Sequence, residues 1–84
     1  MASIDSCLMW GVGFVDCDMS QCVFKNCDFD GIYFDNDCFG ECRFINVTNV
    51  DKAYYSRINV GTMEQPVMLE GEEAIQWITN RLET

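Results

Sequence analysis

A mainly β domain closed by a C-terminal α-helix is what this sequence predicts, and three observations carry the prediction. A small or β-branched apolar residue recurs at every fifth position from Ala2, with a large apolar residue two places later. Two short apolar runs then flank a turn-rich stretch at residues 61–65. Residues 72–83 switch to helical spacing.

Cut into fives from Ala2, the chain reads ASIDS, CLMWG, VGFVD, CDMSQ, CVFKN, CDFDG, IYFDN, DCFGE, CRFIN, VTNVD and KAYYS. The first position is small or β-branched and apolar in nine of the eleven units, and the third is large and apolar in ten. Alternate residues of an extended segment point the same way, so positions one and three share a face. The chain must then turn, or position five would break the alternation. An extended piece plus a corner, repeated, makes a coil with flat faces. Stacked at about 4.7–4.9 Å, such coils pair their backbones and bury one column of side chains.

Two units depart from the pattern. Asp37 takes an inward small-residue slot and Asn49 an inward large-residue slot. A buried unpaired carboxylate is costly. Either a local bulge turns Cys38 inward instead, or Asp37 bonds to a turn backbone. Lys52 cannot sit inward, so the coil is expected to loosen after about Asn46.

The remainder, 57–84, is expected to belong to the same compact domain as the coil of 1–56. "RINV" at 57–60 and "PVMLE" at 66–70 are strand candidates around a turn at Gly61 to Gln65. "EEAIQWITNRLE" at 72–83 reads as an amphipathic helix: Ala74, Ile75, Ile78 and Leu82 share a face, with Trp77 at its margin. Glu72 and Glu73 in its first turn and Arg81 in its last match the macrodipole. A coil needs a cap on its open end, and this helix is the candidate.

The units CDFDG, CVFKN and CRFIN resemble the motif of the pentapeptide-repeat family, A(D/N)LXX with Cys tolerated for Ala and Phe for Leu. The resemblance covers residues 2 to 56. It implies a mainly β fold, a short right-handed quadrilateral β-helix with four pentapeptides per coil, here with the C-terminal capping α-helix. Eleven units make two and three-quarter coils, about 13 Å tall.

Eighty-four residues make one small domain. The apolar share of 49% and eleven aromatic residues exclude a disordered chain. Fourteen acids stand against five bases with no histidine, a net charge of −9. That balance repels nucleic acid and anionic membrane alike and allows a basic partner. Solubility alone would also account for it. The N-terminus lacks a basic n-region and carries Asp5 in the apolar stretch, so it does not read as a signal peptide. No apolar run is long enough to span a bilayer. The expectation is a cytoplasmic protein of a bacterial host, with reduced thiols.

Cysteines at C-x₄-C spacing, without histidine, do not read as a zinc site. With four units per coil, Cys7 lies over Cys27 and Cys22 over Cys42, but parallel side chains on adjacent rungs have poor disulfide geometry. They read as small column-filling hydrophobes. No catalytic signature or phosphate-binding loop is present, so neither catalysis nor a cofactor is expected.

Counting units in fours places Asp5, Lys25 and Arg43 on one face. Asp28, Asp30 and Asp51 fall on the second, Asp16 and Asp35 on the third with Lys52 at its irregular end, and Asp18 and Glu41 on the fourth, joined by Asp37 if it turns outward. Several pentapeptide-repeat proteins resemble B-form DNA in shape and charge and inhibit DNA-binding enzymes such as DNA gyrase. By that resemblance Asp16, Asp18, Asp28, Asp30, Asp35, Glu41 and Asp51 stand in for phosphates, presented to the basic DNA-binding surface of another protein. The gyrase-protecting members are much longer. A short acidic decoy suits a narrower duplex-reading site, such as that of a CRISPR effector (Cascade or Cas) met by a phage anti-CRISPR protein. The alternatives are a topoisomerase (DNA gyrase) inhibitor or protector, and a non-catalytic adaptor binding through Trp10, Val15, Tyr33 or the C-terminal helix. Whether the protein is a monomer or a homodimer stays open.

Overall fold

The fivefold pattern becomes very short strands, most of them paired in parallel. The computed structural model describes residues 3–5 and 10–84 of a small, mainly β domain with one helix. The strands are β1 (Ser3–Asp5), β2 (Gly13–Val15), β3 (Val23–Lys25), β4 (Tyr33–Asp35), β5 (Asp37–Cys38) and β6 (Arg43–Ile45). There follow a 3₁₀ turn (Val50–Lys52), β7 (Tyr54–Tyr55), β8 (Ile58–Asn59), β9 (Met68–Leu69), helix α1 (Gly71–Thr79) and β10 (Leu82–Glu83). Three sheets form, in the orders β1-β3-β6-β10, β2-β4-β7 and β5-β8-β9. Ile4 pairs with Phe24 and Phe24 with Phe44; Phe14 pairs with Phe34. Isolated bridges join Asp18 to Cys38 and Asp28 to Thr48. The chain thus returns alongside itself after twenty residues.

From Gly11 to Asn46, the fifth residue of each unit makes the corner. Gly11, Asp16, Gln21, Asn26, Gly31, Asn36, Glu41 and Asn46 all have φ between 54° and 80°. This left-handed region costs most L-residues about 1–2 kcal/mol, and Gly, Asn and Asp bear it best. Their side chains also join successive corners. Asn36 Nδ2 donates to Asp16 Oδ1 at 2.7 Å, and Asn46 Nδ2 to Asn26 Oδ1 at 2.7 Å.

Inside, the third residues stack as aromatic ladders. Phe14, Phe34 and Tyr55 form one, with ring centroids 5.6 and 5.4 Å apart and planes within 11° and 9°. Phe24 and Phe44 form a second, 5.6 Å apart. Phe29 and Phe39 meet them edge-on. Stacked and edge-on rings add about 0.5–1.5 kcal/mol per pair beyond area burial. Cys22, Cys27, Ile32, Cys42 and Val47 fill the small slots and are buried. The five described cysteines are free thiols, Cys22 and Cys42 included; Cys7 lies outside the described residues.

The pairing does not loosen after Asn46; it steps by one residue. Tyr33 pairs with Tyr54 and Asp37 with Ile58, an offset of twenty-one. The extra residue is absorbed at Asn49, which turns with φ 59°, and in the 3₁₀ turn behind it. Val50 is buried where Asn49 was expected inside. The expected inward place of Tyr54 is likewise corrected. Tyr54 is 66% exposed, while Tyr55 is 4% exposed and donates its hydroxyl to the Val50 carbonyl at 2.9 Å. A period-two strand shifted by one residue swaps every side chain's face, so one insertion accounts for both changes.

Of the two alternatives for Asp37, the turn-bonded one holds. Asp37 is 0% exposed, and its Oδ1 accepts the Cys17 N–H at 2.9 Å. Its Oδ2 is buried without a hydrogen-bond partner. Burial, foremost, pushes its pKa up to about 6 from 3.8, and the charges of Asp35 and Asp16 add to that.

At the C-terminal end each edge meets a cover. β10 adds to β6 in parallel, and β9 adds to β8 antiparallel. Helix α1 packs on β7 and the 3₁₀ turn. Ala74 and Ile78 are buried, and Trp77 meets the Phe44 ring edge-on at 6.3 Å. The helix is shorter than the expected 72–83: it ends at Thr79, and Leu82 is an exposed residue of β10. β10 supplies hydrogen bonds that β6 lacks, including Asn46 N–H to the Glu83 carbonyl at 2.6 Å, and this outweighs another helical turn. Arg81 therefore lies beyond the helix. It still serves the helix end, donating to the Trp77 carbonyl at 3.2 Å with its guanidinium 4.0 Å over the indole.

Candidate functional site: the acidic faces and their groove

The seven candidate acids spread around the molecule and differ in what else they do. Asp18 and Asp28 each close an Asx turn, accepting the Ser20 N–H at 3.0 Å and the Asp30 N–H at 2.9 Å. Asp28 also accepts Asn49 Nδ2 at 2.8 Å, so it braces the register step. Both carboxyls are held below the ordinary range, Asp18 chiefly by the Ser20 backbone N–H and Asp28 chiefly by the Asn49 amide. Asp16 is tied to Asn36 as described, and Glu41 accepts Gln21 Nε2 at 3.2 Å. Among the described residues, the side chains of Asp30, Asp35 and Asp51 take no hydrogen bond.

The bases are less available than their number suggests. Arg43 and Lys25 belong to the same sheet, as expected, Arg43 opposite Val23 and Lys25 opposite Ile45. It forms a two-pronged pair with Glu83, at 2.7 and 3.2 Å. That pair holds Glu83 below and Arg43 above their usual ranges. Arg81 is engaged by Trp77. Neither engagement changes the net charge of −9, so the acids dominate the outer faces as the composition implies.

One concave site brings candidate acids together with residues that sequence reasoning missed. Asp16 and Asp18 share a groove of about 390 Å³ with Met63 and Pro66 of the β8–β9 connection and Met68 of β9. The Cys38 thiol, 3.7 Å from Met63 Sδ, lies between the two walls. The signal available in the sequence was "GTMEQPVM", a turn carrying two methionines. Nothing in the repeat said over which face it would fold.

The buried thiols of Cys22 and Cys42 are not activated. Burial pushes Cys42 up to about 12 and raises Cys22. Among the described residues, no group of three or more His, Cys, Asp or Glu side chains is arranged to hold a metal. No helix among them is long and apolar enough to cross a membrane. No family model matches the chain, and neither a curated protein nor a solved structure matches it.

Proposed function

We propose that the chain is a short right-handed quadrilateral β-helix of the pentapeptide-repeat kind, and that it works without catalysis as an acidic DNA mimic. The fold reading is supported by the twenty-residue return of the parallel pairs and by a left-handed corner at every fifth residue from Gly11 to Asn46. The functional reading rests on one observation. The seven carboxylates project from a backbone whose corners are tied together, so their spacing is set in advance. Rungs near 4.8 Å apart, with several acids per rung, offer a charge density of the order of a duplex, about one charge per 1.7 Å.

The partner is the basic duplex-reading surface of a protein. The longest dimension, 32 Å, is close to one turn of B-DNA, about 34 Å, which favours a local site over a long bent segment. A phage anti-CRISPR that blocks target-DNA binding by a Cascade or Cas effector fits this size and charge. DNA gyrase remains the competing target, and a supercoiling assay discriminates the two. A different reading, an adaptor with an apolar interface, is favoured by Trp10, 80% exposed, and by the outward Tyr33–Tyr54 stack at 5.4 Å.

The test is competition with duplex DNA for the effector at rising salt. Mimicry weakens steeply with ionic strength; an apolar interface barely responds. Charge reversal belongs at Asp30 and Asp51, which have no structural task, because reversing Asp28 would also break its turn and the Asn49 contact. Asp30→Lys with Asp51→Lys is expected to abolish competition while the fold persists. Undiminished competition by that variant would defeat the reading at those positions.

A further inference from the structure

The groove beside Asp16 and Asp18 is a built feature that the coil does not require. Its second wall is the connection 61–67, and that connection is pinned. Buried Asn59 accepts the N–H groups of Gly61 at 2.9 Å and Val67 at 3.0 Å, and donates to the Thr62 carbonyl at 3.3 Å. The connection also lies hard against the coil: a Cβ on Gly40 would stand 2.6 Å from the Gly61 carbonyl oxygen. Only a residue without a side chain allows that approach. At the tip of this rigid loop Met63 is left 79% exposed, facing Cys38. Met68 is exposed beside it.

One wall is thus anionic and the other soft and apolar. Asp16 and Asp18 each commit one oxygen to Asn36 and Ser20, and a carboxylate has acceptor capacity beyond one bond. No base lines the groove; a cleft that shares Met68 with it holds Arg57 with Glu70 and Glu73. Asp37 accepts the N–H of Cys17, which lines the groove. The chemistry that complements such a groove is a long aliphatic stem ending in a cation. Two carboxylates beside polarisable methionines suit a flat guanidinium with five donors better than a compact ammonium.

We propose that this groove receives a single arginine side chain of the partner, its stem on Met63 and Met68 and its guanidinium on Asp16 and Asp18. The inference deepens the mimicry reading and rests on it for the partner's basic character. It makes the groove the anchor of the interface and the remaining acids its electrostatic surround.

N-acetyl-arginine amide titrated into the full chain, followed by backbone amide and methionine methyl NMR, tests it. Shifts are expected to concentrate at Asp16, Asp18, Met63 and Met68. Asp18→Asn, which keeps an acceptor for Ser20, and Met63→Ala at the exposed tip should each weaken binding about threefold, the scale of a partly exposed ion pair. Glu72→Gln on α1 is expected to leave it unchanged. Lysine amide should bind more weakly; equal binding overturns the guanidinium preference. Equal shifts at Asp28, Asp30 and Asp51, or equal methionine shifts with norleucine amide, overturn the groove and leave charge mimicry standing. Arginine binding in the groove together with salt-insensitive competition in the effector assay would retain the groove and overturn the mimicry.

Discussion

Asp37 keeps its proton to about pH 6 because an apolar column surrounds a carboxyl with only one oxygen satisfied. Unfolded, it titrates near 3.8. Between those values the folded chain holds the proton more tightly, so raising the pH favours unfolding. The gap is worth about 3 kcal/mol, lost between roughly pH 4 and pH 6.5. Asp37→Asn keeps an acceptor for Cys17 and carries no charge. It should be more stable than wild type at pH 7 by about 1–3 kcal/mol and less pH-dependent across that window. Urea unfolding at pH 4.5 and pH 7 checks this, and parallel behaviour of the two proteins would refute it. Below about pH 4 a separate effect sets in. The lowered carboxyls of Asp18, Asp28 and Glu83 stabilise above their unfolded values and lose that contribution as pH falls through their folded ones. The corners give a second residue-scale test. Asn36, with φ 55°, also bonds Asp16. Asn36→Ala should cost about 1–2 kcal/mol in thermal or urea unfolding, and Asn36→Gly less. The inward slots were legible at this scale, since a small and a large apolar residue recur at positions one and three of nearly every unit. The corner rule was also present, in Gly, Asn and Asp at position five, but Gln21 and Glu41 obscured it.

Among the elements, the C-terminal segment matters most because it closes open sheet edges. β10 covers β6 and β9 covers β8, while α1 lies over β7 and the 3₁₀ turn. Removing residues 82–84 uncovers the edge of β6 and deletes the Glu83 partner of Arg43. An uncovered edge pairs with other chains, so that truncation should shift the protein toward dimers or larger species in light scattering. Ile78→Ala, at a buried site under the helix, should cost about 2–5 kcal/mol in urea unfolding. The strand pair and the existence of the helix were legible from periodicity. The end of the helix was not. Leu82 fits the helical spacing well, and only the unpaired edge of β6 draws it into a strand. The register step was legible just as a defect: Asn49 and Lys52 marked trouble, but its form depends on which of two neighbouring residues turns outward.

For the whole molecule, fourteen acids against five bases leave a net charge of −9, so the field of the acids dominates. Competition with duplex DNA should therefore fall with salt on a log–log line, as expected of an interface dominated by phosphate-like charges. A curve flat between low and physiological salt would favour the apolar interface of Trp10, Tyr33 and Tyr54. Half of the candidate site was readable in advance, as a set of acids spaced by the repeat. Its division of labour was not. Asp18 and Asp28 serve turns, Asp16 and Glu41 join corners, and Asp30, Asp35 and Asp51 take no such bond.

The sequence by itself determined the period, the inward columns of Phe and Cys, and the outward set of acids. These follow from alternation along an extended chain, a local property that each unit repeats. The tertiary structure alone decided where Asp37 hides, how the extra residue near Asn49 is absorbed, and which strands cover the last edges. It also decided that a methionine-bearing loop folds over Asp16 and Asp18. Most of those outcomes depend on contacts between residues about twenty or more positions apart, where the choice is made by burial and unpaired backbone groups rather than by local pattern.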